Sequence, residues 1–114
     1  MDNVSEMSER VNPFGRATCD QDGYTGVWVQ FKTSGYPFGL RRKWDKAKTD
    51  EALAIVLSYV EAWNLPDISG KVVTLTNGQR TIDLVDDVED VLVLWLMRAF
   101  STFWLTELPY PRKN

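Results

Sequence analysis

Apolar and polar residues alternate between residues 27 and 33, where Val27, Val29 and Phe31 occupy every second position. A period of two in a run rich in β-forming residues is typical of a half-buried strand. A break rich in glycine and proline follows, and the segment from Leu40 to Lys46 is interpreted as a return strand at a sheet edge. The pattern therefore predicts a β-hairpin in the first half of the chain.

Two later segments carry apolar residues at three- and four-residue spacing, which predicts two main helices. The first spans about Asp50 to Trp63 and stops there because Pro66 cannot continue a helix. The second spans about Val88 to Trp104. Its stretch from Val91 to Met97 is apolar on every side, which indicates burial on more than one face or contact with another chain.

The remaining segments define the predicted domain organisation. Residues 1–22 are polar and lack a period, so they are predicted to form a flexible N-terminal arm. Residues 23–114 are predicted to form one small α+β domain with an N-terminal β-hairpin and two main helices. The turn signal Asn77-Gly78 allows a second small hairpin between Lys71–Leu75 and Thr81–Leu84.

The chain contains no histidine and a single cysteine, Cys19, which removes many common catalytic and metal-binding chemistries. A nucleophile activated by histidine and an imidazole proton shuttle are both impossible. One cysteine forms neither an intramolecular disulfide nor a cysteine cluster for zinc or iron. We therefore expect no cofactor and no metal, and a reducing cytoplasm suits the chain best. No membrane span is expected either, since a span needs about 20 apolar residues.

Acidic residues are the remaining route to acid–base catalysis or magnesium binding, and they crowd at the start of the second predicted helix. Carboxylates at this position cap a helix and complement its dipole, with Asp86 or Asp87 as the N-cap. A two-metal site needs carboxylates that converge from separate elements, whereas consecutive ones fan outward. The acidic residues are therefore predicted to stabilise the start of a helix, and the chain is not predicted to be an enzyme. The residues concerned are Asp83, Asp86, Asp87, Glu89 and Asp90.

Basic residues cluster around Trp44, between residues 41 and 48. Cations interleaved with an aromatic ring can bind single-stranded nucleic acid through phosphate contacts and base stacking. In a strand, however, alternate charges lie on the solvent face and protect the sheet edge. The net charge of −3 also argues against a general polyanion binder. We therefore favour the interpretation that these charges protect a sheet edge, and binding of nucleic acid is the alternative. The basic patch consists of Arg41, Arg42, Lys43 and Lys46.

Large aromatic rings are more numerous than a core of this size is expected to need, since the chain has five tryptophans. Each large ring buries roughly 150 to 250 Å², and such rings are favoured both in cores and at interfaces. A dense aromatic core and an exposed partner-binding surface are therefore both open. The candidates for core packing or partner contact are Trp44, Trp63, Trp95, Phe100 and Trp104.

A turn is predicted directly after the first helix, over Trp63-Asn64-Leu65-Pro66-Asp67-Ile68-Ser69-Gly70. Asp67 can accept backbone N–H bonds there, and Gly70 can take a positive φ. Trp63 can pack over the turn from the helix end. The structural turn residues are accordingly Asn64, Asp67 and Gly70, and such a turn would be stable in any fold.

This turn belongs to a longer pattern that also includes Tyr36-Pro37-Phe38 running into Leu40-Arg41-Arg42-Lys43-Trp44, and the last helix with Glu107-Leu108-Pro109. Together these stretches resemble the small tail assembly chaperones of long-tailed bacteriophages. In such proteins a helix leads into an aromatic-Asn/Asp-Leu-x-Asp-x-x-Gly turn. The resemblance covers about Tyr36 to Leu108. The chain departs from it at Lys71-Val72-Val73, where a proline often follows the glycine.

The resemblance implies a non-enzymatic protein that coats the helical tape measure protein and keeps it soluble before the tail tube forms. The partner would be the tape measure or another tail protein, homo-oligomers would be compatible with the role, and the host-cell cytoplasm would be the location. Such a task needs apolar and aromatic grooves that hold amphipathic helices. The alternative in the binding class is a small phage or host protein that inhibits another protein.

Overall fold

The computed structural model describes residues 14–107, which fold around a three-stranded antiparallel sheet. The strands are β1 (Arg16–Thr18), β2 (Trp28–Phe31) and β3 (Val60–Trp63), and β2 lies in the middle. Helices pack against this sheet, so the chain has the α+β class that the sequence predicts.

One face of the sheet is buried, because side chains alternate between the two faces of each strand. Ala17, Val29 and Phe31 are fully buried on the inner face. Val29 lies opposite Ala17 on one side and opposite Trp63 on the other. On the outer face, Trp28 is half-buried below the Arg16 guanidinium, which lies 3.9 Å from the ring centroid. The core therefore forms on one side of the sheet.

Helices α1 (Phe38–Lys46) and α2 (Thr49–Ser58) lie between β2 and β3 in the sequence, and α3 (Asp90–Thr102) follows near the end of the described chain. α2 and α3 contribute fully buried side chains to the core. The centroids of the Phe31 and Phe100 rings are 5.3 Å apart, which joins β2 to α3. The core thus lies between the inner face of the sheet and these two helices.

The return strand predicted over Leu40 to Lys46 is wrong, because this segment is helical and belongs to α1. Leu40 is buried and Trp44, one helical turn later, is half-buried, whereas Arg42 and Lys43 are exposed. This spacing fits a helix as well as a strand, since residues four apart share one side of a helix. The helical alternative prevails because β2 finds both of its strand partners elsewhere.

One of those partners, β1, lies within the stretch predicted as a flexible arm, residues 1–22. Ala17 is fully buried opposite Val29, and the Cys19 N–H donates to the Val27 carbonyl at 2.7 Å. This part of the predicted arm is therefore part of the sheet. A three-residue strand with one buried position gives no visible period. Residues 1–13 and 108–114 lie outside the described residues.

The helix predicted over Asp50–Trp63 ends at Ser58, and β3 takes the remaining residues. Tyr59 leaves the helical region with φ −108° and ψ 7°. Val60 is fully buried and Glu61 is exposed, as expected for a strand that pairs with β2. Pairing with a neighbouring strand outweighs the local helical preference here.

The last helix begins at Asp90 with Glu89 at its N-cap, so neither Asp86 nor Asp87 is the cap that the sequence predicts. After Thr102 the chain continues into a π-helical turn, Phe103–Glu107. Because this turn extends the helical path, Trp104 still falls within it. The predicted helix therefore exists, with a later start and a wider last turn.

The second hairpin does not form. Lys71–Leu75 makes only an isolated bridge between Val72 and Pro66, and Ile82–Val85 is a 3₁₀ helix. The segment between these elements is instead held by hydrogen bonds to other parts of the fold. Arg80 donates two of them, to the carbonyls of Leu57 and Val60.

Candidate functional site

Five rings from four parts of the chain converge in one aromatic cluster: Tyr36, Trp44, Tyr59, Phe100 and Trp104. Neighbouring centroids in this cluster lie between 4.3 and 6.2 Å apart. These distances fall in the range in which aromatic rings attract one another. The cluster joins α1, the end of α2 and the end of α3.

The position of each ring in the cluster follows from local structure. Phe100 and Trp104 are four residues apart on the last helical segment, so both lie on its inner side, and both are buried. Trp44 comes from α1 and meets both of them, at 5.6 and 5.7 Å. Tyr36 and Tyr59 close the cluster with stacked rings at 4.3 Å. Trp44, Tyr36 and Tyr59 are half-buried, so they form its rim.

The two tyrosine hydroxyls fasten this rim to the loop after β2. Tyr36 donates to the Lys32 carbonyl and Tyr59 donates to the Gly35 carbonyl, each at 2.8 Å. Burial raises the pKa of Tyr36 far above its usual range, with a smaller contribution from the neighbouring Tyr59. Burial also raises the pKa of Tyr59. Both hydroxyls therefore remain protonated donors at neutral pH.

The other two candidate rings lie in the core away from this cluster. The Trp63 indole N–H donates to the Val73 carbonyl at 2.8 Å, which ties β3 to the following segment. Trp95 is fully buried on α3, and its indole N–H has no acceptor among residues 14–107. Four of the five candidates, Trp63, Trp95, Phe100 and Trp104, are thus buried. The surplus of rings serves mainly the core.

The basic patch is spread around α1. The Arg41 guanidinium lies 5.4 Å from the Trp104 ring centroid, which attaches it to the aromatic cluster by a cation–π contact. Arg42 lies 5.6 Å from the ring of the exposed Phe38. Lys43 and Lys46 line a cleft between α1 and α2. The favoured strand-edge interpretation of this patch therefore fails, because the residues are helical.

Between α1 and α2 lies a cleft of about 460 Å³. Ala47, Ala54 and Ile55 form its apolar floor, and all three are half-buried. Small residues at this floor leave room for a side chain from outside. We call this feature the α1–α2 cleft, and its lining residues are Lys43, Lys46, Ala47, Glu51, Ala54 and Ile55.

The rim of the α1–α2 cleft has a cationic bias. Lys43 and Lys46 are exposed at its edge. The third charged residue, Glu51, already accepts a hydrogen bond from the Lys48 backbone N–H at 2.8 Å, and so caps the start of α2. This cleft was not predicted from the sequence. The spacing of Glu51, Ala54 and Ile55 on one side of a helix is the signal that could have indicated it.

The predicted turn forms around Asn64 and Asp67. The Asn64 side chain accepts from the Trp28 N–H at 2.7 Å and donates to the Gly26 carbonyl at 3.0 Å, which extends the pairing of β2 and β3. Asp67 accepts from the Ser69 N–H, the Ser69 hydroxyl and the Lys71 N–H. Gly70 follows with φ +89°. The turn therefore fixes the exit of β3 and contributes nothing to the α1–α2 cleft.

These hydrogen bonds predict how stability depends on pH. The Ser69 hydroxyl, more than the backbone N–H groups and the Lys71 charge, holds the pKa of Asp67 below its ordinary value. The carboxylate therefore stabilises the fold above its unfolded-state pKa, and this contribution is lost as the pH falls through the lower folded-state pKa. We expect the stability difference between wild type and Asp67→Asn to shrink between about pH 5 and pH 2, measured by urea unfolding.

The variant Ser69→Ala tests the cause of this shift, because it removes the main donor and leaves the carboxylate in place. We expect the pKa of Asp67, measured by carboxyl-carbon NMR, to rise toward its ordinary value in Ser69→Ala. An Asp67 that titrates at or above its ordinary pKa in the wild type would contradict this account of the turn.

Three further findings concern metal binding, membrane crossing and the single cysteine. Within the part of the chain that the structure describes, no three Cys, Asp or Glu side chains come together in a way that could hold a metal ion. Nor is any helix in residues 14–107 both long and apolar enough to cross a bilayer. Cys19 is buried, and burial raises the pKa of its thiol.

The comparisons with known proteins identify no relative of this chain. No family model matches the sequence, and neither a curated protein nor a solved structure matches it.

Proposed function

We propose that this chain is a non-enzymatic binding protein that holds a helical segment of a client protein in the α1–α2 cleft. The cleft itself carries the proposal, because it combines an apolar floor with a charged rim. Ala47, Ala54 and Ile55 can receive one apolar side chain, and Lys43 and Lys46 can pair with acidic residues beside it. This arrangement suits an amphipathic helix laid along a groove.

The aromatic cluster supports this role because it holds α1, which forms one side of the cleft, on the core. Leu40 and Trp44 anchor α1 to the core, where Trp44 packs against Phe100 and Trp104. A cleft whose sides are already held in place loses little conformational entropy when a client binds. The buried tryptophans would then shape the binding surface without touching the client.

The resemblance to tail assembly chaperones suggests the client, the tape measure protein of a long-tailed phage. That client is long and helical, so one copy with a modest cleft would cover only a short segment of it. Several copies along one chain would increase the overall affinity without new contacts. The proposed place of action is the cytoplasm of the host cell.

Coexpression with a helical fragment of a tape measure protein from a long-tailed phage tests the proposal. We expect the wild type to keep the fragment soluble and to co-purify with it. Ala54→Trp fills the cleft and Lys43→Glu/Lys46→Glu reverses its rim, so both variants are expected to lose at least about tenfold in affinity. Binding is measured by fluorescence anisotropy of the labelled fragment, and circular dichroism confirms that each variant is folded.

The matched control is Lys32→Glu/Lys71→Glu, which changes the net charge equally at exposed sites outside the cleft. It is expected to bind like the wild type. A fragment that fails to co-purify with the wild type at low salt would refute the chaperone role. If Ala54→Trp bound the fragment as tightly as the wild type, the cleft would not be the binding site. Single-stranded oligonucleotide binding that falls steeply with salt, and is lost on removal of Arg41 and Arg42, would instead favour the nucleic-acid alternative.

A further inference from the structure

The outward side of α3 carries an apolar surface that the core covers only in part, since Met97 also packs against the core. Leu94 is 53% exposed at its centre, and Val91 and Met97 beside it are half-buried. Asp90 and Arg98 are exposed at its two ends. We call these five residues the α3 face. It lies on a different helix from the two that form the α1–α2 cleft.

The α3 face is symmetric about Leu94 in a way that the sequence shows directly. Val91 and Met97 lie three residues before and after Leu94, and Asp90 and Arg98 lie four residues before and after it. Residues three and four apart share one side of an α-helix. Reversing the direction of the helix about Leu94 therefore exchanges apolar with apolar and acidic with basic.

We propose that two copies of this chain associate through this face, with their α3 helices antiparallel across a two-fold axis at Leu94. Leu94 then meets the partner's Leu94, and Val91 meets the partner's Met97. Asp90 lies beside the partner's Arg98, and the same pair forms again on the other side of the axis. Self-complementarity of this kind is what a two-fold interface requires.

The charges select this arrangement over the parallel one. In a parallel pair, Asp90 would face the partner's Asp90 and Arg98 would face the partner's Arg98, which places like charges together. In the antiparallel pair both contacts are attractive. The Arg98 guanidinium has five N–H donors, so its interactions within its own chain are compatible with this additional one.

The size of the face determines the expected strength of the dimer. Stable dimers bury about 1,200 to 2,000 Å² in total, and one face of a helix of 13 residues offers less than that. The dimer is therefore weak and exchanges with monomer. Leu94 supplies the apolar centre of the contact, whereas the two ion pairs at its rim mainly determine its orientation.

Sedimentation velocity from about 10 µM to about 1 mM tests whether the wild type dimerises. We expect a shift from monomer to dimer within this range. Asp90→Arg and Arg98→Asp each create two like-charge contacts in their own dimers, so each alone is expected to dimerise roughly tenfold more weakly. Leu94→Ser should abolish the dimer, whereas Ile68→Ser, at an apolar position in the turn that is 70% exposed, should not.

Mixing the two charge variants tests whether the two α3 faces meet in the dimer. In a heterodimer of Asp90→Arg with Arg98→Asp, both contacts pair a cation with an anion, so native mass spectrometry is expected to find heterodimers in large excess over either homodimer. A merely misfolded variant would not regain association in the mixture. A wild type that stays monomeric up to about 1 mM, or a mixture with no preference for the heterodimer, would overturn the proposal. Both measurements are made without a client, so their outcome does not depend on client binding.

Discussion

Phe100→Ala is expected to lower the free energy of unfolding by about 3 to 5 kcal/mol, the range found when a buried aromatic ring is truncated in a core. Phe100 is fully buried. Its ring lies 5.3 Å from Phe31 and 5.6 Å from each of Trp44 and Trp104, measured between centroids. Removing it leaves a cavity at the point where the sheet, α1 and α3 meet. Because domains are stable by only about 5 to 15 kcal/mol, the variant would be close to unfolding.

Urea unfolding followed by tryptophan fluorescence measures this effect, since Trp44 and Trp104 report on the cavity directly. Phe38→Ala is the matched control, because Phe38 is 79% exposed and its loss is expected to change stability by less than about 0.5 kcal/mol. Phe100→Leu retains much of the volume and should fall between the two. A Phe100→Ala variant as stable as Phe38→Ala would mean that the aromatic cluster does not hold the helices on the sheet.

The sequence predicted that the aromatic rings pack in the core or contact a partner, but not which ring does which. Their number indicated either a dense core or an exposed surface, and both options predict the same composition. The division depends on which helix lies over which ring, and Trp44 reaches the cluster only because its segment is helical. Periodicity cannot decide between helix and strand for a run as short as Leu40–Lys46.

The turn was predictable because its interactions are local. Asp67 bonds to residues two and four positions later, and the positive φ of Gly70 is a property of that residue. Asn64 belongs to the same motif, but its partners Trp28 and Gly26 lie far away in the sequence. Only the fold assigns those contacts, because they depend on the pairing of β2 with β3.

The predicted end of the first helix was wrong because it, too, depends on the pairing of β2 with β3. Val60–Trp63 continues the helical spacing that starts at Asp50, and nothing before Pro66 forbids a longer helix. The backbone hydrogen bonds that β2 offers are what convert these residues into β3. The change of direction near Tyr59 also leaves the carbonyls at the end of α2 in need of a donor.

Arg80 supplies that donor, and Arg80→Met is expected to lower the free energy of unfolding by about 2 to 4 kcal/mol. Its guanidinium donates to the carbonyls of Leu57 and Val60, and a further N–H donates to the Thr76 carbonyl at 2.9 Å. Leu57 and Val60 are both fully buried. Methionine matches the length of the side chain but leaves those carbonyls without a charged partner, which costs more than the contact itself contributes.

Urea unfolding measures the total effect, and hydrogen exchange locates it. We expect faster exchange at the backbone N–H groups of β3 and of residues 71–81, because Arg80 joins these two segments. Arg42→Met is the control, since it makes the same substitution at an exposed guanidinium and should change stability by less than about 0.5 kcal/mol. Arg80→Lys should recover only part of the loss, because Nη1 donates to both carbonyls while Nε donates to the Thr76 carbonyl, and a single ammonium nitrogen cannot occupy both positions. Equal stabilities for Arg80→Met and Arg42→Met would show that the end of α2 is held by packing alone.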